Sequence, residues 1–469
     1  MSARIDLRAL AEERPVHFMG VGGAGMFPLA ELLLRSGGRV SGCDAKESRA
    51  LADLSALGGD VSVGHDPAHI DGAAALVLTA AVPLDHPEVQ AAEAAGLPVL
   101  KRAEALGAWV AGGRVVGIAG THGKTTTTAM ATEVLAAADL DPTGLVGGRV
   151  AGWDGNLRFG RSDLFVVEAD EYDRSFLTLA PDVAVVTNLE ADHLDIYGDL
   201  DGVRRSFLDF LAGVRGGGRV IVCADDHGAA GLLPAIGAAG YTYGTTAGCM
   251  LRATDVRLDE DGTYATVWED GERAGTMRIG LGGRHNLLNA LAAAAVGRAV
   301  GAEWPDVFAG LRAFAGVGRR FETLGTSGGV LVIDDYAHHP TEVAAAIRAV
   351  RAMHPDRRLV AAFQPHLFSR TRDFAREFGE ALALADVVYV TDVFPAREAP
   401  IEGVTGRTIA DAVTAAGSRA THYVPALDEL PAAVVGDAVF GDVVLTMGAG
   451  SIERAGTEIL RLLEAPIHA

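Results

Sequence analysis

Residues 113 to 130 read Gly-Arg-Val-Val-Gly-Ile-Ala-Gly-Thr-His-Gly-Lys-Thr-Thr-Thr-Thr-Ala-Met, and their order decides the reading of the chain. A short apolar run, Val115 to Ala119, breaks into a glycine-rich turn closed by Gly123, Lys124 and Thr125, and an alanine-rich helical pattern follows. Strand, tight turn, helix is the layout of a nucleoside triphosphate site. Bare glycines let backbone N–H groups approach phosphate oxygens, and the helix N-terminus adds partial positive charge. Lys124 is expected to neutralise the β/γ phosphates and Thr125 to offer its hydroxyl to magnesium. Ile118 stands where the usual G-x-x-x-x-G-K-[ST] pattern has its first glycine, so a tighter turn is predicted over Gly120, Thr121, His122, Gly123, Lys124 and Thr125, with Thr126 following.

Upstream, Pro15 to Met19 is strand-like and runs into Gly20-Val21-Gly22-Gly23-Ala24-Gly25, and Met26 to Arg35 carries helical periodicity. The next strand, from Arg39, ends at Asp44, about where a carboxylate reaches a ribose hydroxyl in a Rossmann-like unit. Gly20, Gly22, Gly23 and Gly25 suit NAD, and equally another diphosphate-bearing nucleotide such as a UDP-sugar. They also suit mere close packing of helix on strand. Leu76 to Val82 reads as a further strand. Lys101 and Arg102, at the end of another, suit either a phosphate or solvent.

Downstream, Leu164 to Val167 is a buried-strand pattern that ends in Glu168-Ala169-Asp170-Glu171-Tyr172-Asp173. A carboxylate at a strand's C-terminal end beside a phosphate loop is where open α/β sheets place metal ligands, and Glu168, the first, is still held by the strand. The strand Val183 to Asn188 leads to His193, either a core or capping histidine or, with Glu168 around the Lys124-Thr125 loop, part of a two-metal arrangement. Asn286 and Asn289, three apart at the start of a helix, either cap it or read an adenine edge. Residues 241 to 281 alternate apolar and polar around Asp261-Gly262 and Asp270-Gly271, which predicts an antiparallel meander.

In the last third, Arg319 and Arg320 sit in a glycine-rich hinge candidate, either a basic linker or a source of phosphoryl-stabilising charge. Four strand patterns then end in polar clusters: Asp334 to Glu342, Gln364 to Arg372, Thr391-Asp392, and Met447 to Ser451. Clusters at one end of successive strands define the crevice of a second parallel sheet. Arg370 there is suited to clamp a carboxylate.

With 469 residues the chain is expected to hold about three domains, at 1–108, 109–315 and 316–469. A net charge of −21 argues against general affinity for nucleic acid or an anionic membrane. Cys43, Cys223 and Cys249 are sparse, odd in number and outside any C-x-x-C pattern, which fits a reducing cytoplasm and argues against a disulfide framework or a zinc knuckle. The start of the chain lacks a signal-type apolar core, and no run approaches a membrane span.

The loop Gly120 to Thr128, Glu168-Ala169-Asp170-Glu171, Asp192-His193, His285-Asn286-Leu287-Leu288-Asn289, Asp335 to Glu342 and Gln364-Pro365-His366 together resemble the Mur ligase family of peptidoglycan synthesis, in order and end to end. The resemblance implies an α/β protein of three domains: a Rossmann-like N-terminal domain, a central P-loop ATPase-type sheet with a small antiparallel insert, and a Rossmann-like C-terminal domain. It implies ATP and Mg2+ (or Mn2+), with Lys124 on the γ-phosphate and Thr125, Glu168 and His193 on the metal. It suggests His285, Asn286 and Asn289, with Arg319 or Arg320, for ATP, and Tyr336, His338, His366 and Arg370 around an amino acid and the reacting carboxylate.

Within the family, the GTHGKTT loop, GVGGAGM and HHPTE look like the branch that joins L-alanine to UDP-N-acetylmuramate. The only lysines are Lys46, Lys101 and Lys124, so no lysine beyond the loop is available for the carbamate bridge that sister ligases use. Phe27 and Leu367 depart from the family's frequent residues. Tyr172 also occurs in the relative that attaches a recycled murein tripeptide to the same sugar nucleotide, and that ligase is the alternative. An oxidoreductase would leave Lys124, Glu168 and His193 without work, and a non-catalytic ATP switch would release no phosphate in response to an amino acid. The expected partners are small molecules, with no nucleic acid and no membrane, met by a monomer or weak homodimer.

Overall fold

The computed structural model describes residues 5–79, 81–153, 155–237, 240–396, 398–418 and 420–464, so the first four residues and Ala80, both part of the readings above, lie outside the described residues. The chain divides into two compact units, one of Met1–Arg252, Trp268–Glu272 and Asn289–Leu311, the other of Ala253–Val267, Arg273–Leu288 and Arg312–Ala469.

The first unit holds two sheets. The N-terminal one consists of β1 (Val16–Met19), β2 (Val40–Asp44), β3 (Asp60–Val63), β4 (Ala75–Leu78) and β5 (Val99–Lys101), in the order β3-β2-β1-β4-β5. Every pairing is parallel. β1 and β4 are buried throughout, as a strand covered on both faces must be. Val16 and Phe18 face the helix Phe27–Arg35 with its Leu29, Leu32 and Leu33, while Met19 belongs to a second apolar layer with Ile70, Leu76, Leu78 and Val89. The strand expected over Leu76 to Val82 ends at Leu78.

The second sheet of this unit contains β6 (Arg114–Ala119), β7 (Thr143–Leu145), β8 (Leu157–Arg158), β9 (Leu164–Glu168), β10 (Val183–Val186), β11 (Arg219–Cys223) and β12 (Gly240–Gly244). They run in the order β12-β11-β10-β6-β9-β7-β8. β6 lies between β9 and β10, parallel to both. Chain order reverses there, which opens the crevice at the strands' C-terminal ends where open sheets bind ligands. The phosphate loop leaves β6 at that point, and the helix Lys124–Ala137 follows.

β13 (Leu251–Asp259) and β14 (Gly262–Glu269), most of whose residues fall in the second unit, are joined by a two-residue turn, and β15 (Glu272–Ile279) follows another. Asp270 and Gly271 have φ of 50° and 85°, the left-handed pair that a tight hairpin of this kind requires. The third sheet comprises β16 (Glu322–Ser327), β17 (Val330–Asp335), β18 (Leu359–Phe363), β19 (Val387–Val390), β20 (Thr421–Tyr423) and β21 (Val443–Met447). Its order is β16-β17-β21-β18-β19-β20, parallel except for the β16–β17 edge. The ends of β17, β18 and β21 lie side by side and deliver Asp334, Asp335, Gln364 and Gly448 to one edge. Among the described residues the fold is thus α/β with three sheets, one wholly parallel, one parallel except at an edge, and one that carries the phosphate loop.

Candidate active site

The phosphate loop is held open from beneath by the end of β10. Thr187 Oγ1 donates to the carbonyl of His122 at 2.7 Å, Asn188 Nδ2 donates to the same oxygen at 3.0 Å, and His122 N donates to Asn188 Oδ1 at 2.7 Å. Glu190 N donates to Thr121 Oγ1 at 3.0 Å. Gly123, with φ of 81°, caps the helix, and a Cβ there would stand 2.4 Å from Asn289 Oδ1, which accepts from Thr127 Oγ1 at 3.2 Å. Gly120 is tighter still, with φ of 143° and space for a Cβ only 1.9 Å from Thr187 Oγ1. Gly120→Ala is therefore expected to cost roughly 2–4 kcal/mol in urea unfolding, from combined backbone strain and overpacking. Adding Thr187→Ala should recover part of that loss, because it removes one clash and leaves the strained φ.

Lys124 is nearly enclosed. Its Nζ donates to Gly120 O at 2.7 Å, to Thr121 O at 3.3 Å and to Glu171 Oε2 at 2.7 Å. Burial alone would lower its pKa, but the carboxylates of Glu171, Asp170 and Glu168 outweigh burial and hold it above the ordinary lysine value. Glu171, 2% exposed, is pushed up to about 7 by burial in spite of the ammonium beside it. The proton therefore sits on the lysine, and the carboxylate is the strained partner.

Three groups suited to a hard divalent cation converge next to that pair. Thr125 Oγ1 lies 3.0 Å from both oxygens of Glu168, whose Oε2 also accepts from Gly147 N at 2.7 Å. His193 Nε2 lies 4.0 Å from Glu171 Oε1, a buried carboxylate oxygen without a hydrogen bond. Carboxylate and hydroxyl oxygens with an imidazole fit magnesium or manganese, and the unsatisfied oxygen of Glu171 is what a nearby cation or its water would relieve. His193 has φ of 52° and its ring meets that of Tyr172 at 5.1 Å, so the side chain is aimed by a left-handed backbone at the start of a short helix.

The N-terminal glycine loop reaches the same region. A cavity of about 260 Å³ is lined by Ala24, Gly25, Arg102, Gly147, Glu168 and Asp170. Gly25 lies close against Arg102, whose Cδ would stand 3.1 Å from a Cβ there. The cavity thus places a guanidinium beside the glycine loop at one end and the carboxylate Glu168 at the other. Gly20 has φ of 70°, and Gly22 N donates to Asp44 Oδ2 at 3.0 Å, so Asp44 braces the loop that it was expected to serve through a ribose contact.

The second unit gathers the remaining candidates. Tyr336 lies under two guanidinium groups, Arg319 at 5.0 Å and Arg320 at 4.8 Å from its ring centre. Arg319 is anchored by Asp334 Oδ2 at 3.1 Å and donates to the carbonyls of Gly448 and Gly450 at 2.6 and 3.3 Å. His338 Nδ1 donates to Tyr336 O at 2.9 Å, and its ring meets those of Tyr336 at 5.2 Å and His366 at 5.7 Å. With Nδ1 carrying the proton, Nε2 keeps its lone pair. Burial, assisted by Arg370 and His366 and opposed by Glu342, lowers His338 to about 3. Arg370, in the short helix Phe368–Asp373, is buried. Asp335 accepts from Phe321 N and Ala337 N, both at 2.7 Å, yet burial raises it to about 6. His285, beside Gly283, is lowered to about 4 by burial, and Asn286 Nδ2 donates to Gly282 O at 2.9 Å.

These shifts give a signed pH effect. Between its ordinary 6.5 and about 3, His338 binds a proton when unfolded but not when folded, so its contribution to stability is lost as pH falls through that window. His285 acts alike from 6.5 to about 4, whereas Asp335, raised from 3.8 to about 6, opposes them below 6. Relative to the parent, His338→Gln is expected to flatten the acid decline in urea stability by up to about 1.4 kcal/mol per pH unit. An unchanged slope would mean that the imidazole titrates normally.

Of the expected residues, the first unit brings together Gly120 to Thr126, Glu168, His193 and Asn289. The second brings together Arg319, Arg320, Tyr336, His338, His366 and Arg370, with His285 close enough to Arg320 and Glu342 to feel their charges. Sequence reasoning singled out Glu168 alone in its acidic run and gave Glu171, Thr187 and Asn188 no role of their own. The signal for both was position: Glu171 is three residues beyond Glu168, and Thr187-Asn188 end the strand that neighbours β6.

Comparison with known proteins agrees with this geometry. Residues 15–114 match the family model described as Mur ligase family, catalytic domain, residues 118–297 the Mur ligase middle domain, and residues 319–450 the Mur ligase glutamate ligase domain. The UDP-N-acetylmuramate–L-alanine ligase of Salinibacter ruber is 44% identical over 457 residues, covering 97% of this chain and 96% of its own. That of an Arthrobacter species is 46% identical over 473 residues, covering 99% of both. Among solved structures, UDP-N-acetylmuramate-alanine ligase of Thermotoga maritima is similar with a TM-score of 0.79 at 28% identity, covering 96% of this chain and 99% of its own. A murein peptide ligase of Psychrobacter arcticus has a TM-score of 0.68 at 25% identity, covering 97% and 100%. Among the described residues no helix is long and apolar enough to cross a membrane.

Proposed function

Because this chain belongs to the Mur ligase family, we propose that it joins the amine of L-alanine to the muramate carboxylate of UDP-N-acetylmuramate at the expense of ATP. The observation that carries the reading is the enclosed Lys124 beside Thr125 and Glu168, in a chain whose relatives at 44% and 46% identity over nearly their whole length bear that name.

A carboxylate attacking a triphosphate is anion against anion, so cationic groups must cancel the repulsion before a bond forms. Lys124 leaves Glu171 for the γ-phosphate, and the loop N–H groups hold the neighbouring oxygens. Thr125, Glu168 and His193 would hold magnesium or manganese, which supplies charge neutralisation and orientation when bound. The carboxylate oxygen bonds to the γ-phosphorus and ADP departs. The alanine nitrogen then attacks the acyl carbon of the resulting acyl phosphate, inorganic phosphate leaves, and the amine gives up its proton. Arg370 orients a carboxylate, and His338, held neutral, offers Nε2 as a hydrogen-bond acceptor that aims the amine, whose proton passes to solvent. His285, Asn286 and Asn289 serve the adenosine part of ATP, with Arg319 and Arg320 stabilised around Tyr336. Gly20, Gly22, Gly23 and Gly25, with Arg102, hold the UDP end of the sugar nucleotide. The division at about residues 108 and 315 assigns these three tasks to separate domains.

The test is phosphate release with ATP, magnesium and UDP-N-acetylmuramate against L-alanine and against the murein tripeptide. L-Alanine is expected to be the better amine by at least about tenfold in kcat/KM, a modest demand for a site that reads a small side chain and a free carboxylate. Preference for the tripeptide would move the chain to the recycling activity, and no amine-dependent release would overturn the ligase reading.

A further inference from the structure

The N-terminal sheet carries a second cluster of metal-ligating side chains, on the face turned away from the helix Phe27–Arg35. In β1, Val16 and Phe18 take part in the core with that helix, so His17 points to the other face by strand alternation. Cys43, on neighbouring β2, belongs to the opposite apolar layer with Met19 and Val89. His69, from the short helical turn Pro67–Ile70, and Glu88, in the first turn of the helix Pro87–Ala94, complete the group. One ligand atom from each of His17, Cys43, His69 and Glu88 lies within 4.8 Å of the others.

The surroundings resemble a built site more than a chance hydrogen-bond cluster. His17, 1% exposed, uses Nδ1 for Ser41 Oγ at 3.0 Å and leaves Nε2 buried with no hydrogen-bond partner among the described residues. His69 mirrors it, with Nε2 on Ser62 Oγ at 3.2 Å and Nδ1 on Glu88 Oε1 at 2.9 Å. Each imidazole is thus oriented through its outer nitrogen by a hydroxyl, the way metal-bound histidines are commonly fixed. Glu88 is 0% exposed, and among the described residues the charged groups that pair with it are imidazoles, His65 at 3.5 Å and His69. Cys43 Sγ lies 3.5 Å from both Glu88 oxygens and 3.2 Å from His65 Nδ1, and burial with that carboxylate holds its thiol protonated. A fully buried carboxylate without lysine or arginine is costly, and a cation would offset it.

We propose that His17, Cys43, His69 and Glu88 bind a zinc-class divalent cation, separate from the magnesium of the phosphate loop. One thiolate, two imidazoles and one carboxylate are a tetrahedral zinc donor set, and the sulfur selects against magnesium. Bond lengths near 2.0–2.3 Å space tetrahedral donors about 3.4 Å apart; Cys43 Sγ and Glu88 already stand at 3.5 Å, His69 Nδ1 and Glu88 Oε1 open slightly from 2.9 Å, and the remaining pairs lie within 4.8 Å. When sulfur bonds to the cation, the Cys43 proton is released to solvent. His69 and His65 keep about a quarter of their side chains exposed, 24% and 28%, which gives the cation its access path.

Cobalt is the probe, since only a thiolate gives a sulfur-to-metal charge-transfer band and the oxygen-rich phosphate-loop site cannot. Titrating the reduced full-length protein with Co2+ is expected to raise that band to saturation at one equivalent, with release of a proton, and Zn2+ should bleach it. Cys43→Ser should abolish the band, Cys249→Ser should leave it, and His69→Ala should weaken zinc affinity by at least roughly tenfold. Circular dichroism checks that each variant folds; if Cys43→Ser does not, the zinc affinity of the partly exposed His69→Ala decides. No band in the folded protein, a band that survives Cys43→Ser, or unchanged zinc affinity in His69→Ala would overturn the proposal.

Discussion

Replacing Lys124 by alanine is expected to lower UDP-N-acetylmuramate-dependent phosphate release by at least about 10³-fold, equivalent to about 4 kcal/mol of lost transition-state stabilisation. The size follows from burial. Lys124 reaches Gly120 O and Glu171 from inside a pocket that keeps its side chain 12% exposed, and a charge worth little in water is worth several times more where water is excluded. Removing one partner of a buried ion pair ordinarily destabilises by roughly 3–5 kcal/mol, since it strands the other. Here Glu171 is already pushed up to about 7, so it can take a proton and escape most of that cost. The variant should therefore fold, with a modestly lowered melting temperature that Glu171→Gln restores without restoring activity. Near-normal turnover in a folded Lys124→Ala protein would remove the foundation of the proposed chemistry.

Glu168→Gln is the second large effect. The amide can keep the contacts to Thr125 Oγ1 and Gly147 N, so the loop should hold its shape while one negative charge is lost where the cation is needed. The expected result is a rise of at least about tenfold in the magnesium concentration for half-maximal activity, and a fall of roughly 10²-fold in kcat. High magnesium should recover part of the activity. A variant with unaltered magnesium dependence would show that Glu168 only braces the loop and that the cation is held elsewhere, with His193 and Glu171 the next residues to test.

The strands and the phosphate loop were legible because their signals are local. Val115 to Ala119 could only be a covered strand, and Gly123-Lys124-Thr125 could only begin a helix. Length and strand-end chemistry also sufficed to place Glu168 at the end of β9 and the run from Asp334 at the end of β17. What stayed hidden depends on neighbours far apart in the chain. Nothing around Glu171 distinguishes it from solvated Asp173; its burial arises because the polypeptide turns back over Lys124, 47 residues upstream. Thr187 and Asn188 read as the polar end of a strand, and their grip on His122 appears only once β10 lies beside β6. The cluster of His17, Cys43, His69 and Glu88 draws on four separate elements and leaves no spacing pattern at all.

The bond between Lys124 and Glu171 also bears on how ligands are admitted. The loop's cation already has an intramolecular counter-anion, so under the proposed function a nucleotide would arrive by exchange, its phosphate supplanting a tethered carboxylate that never diffuses away. Uncharged mimics of adenine and ribose gain nothing from that exchange and leave the clasp shut. Compounds aimed at this loop will need real anionic character at the γ position, or must take Glu171 as their own acceptor.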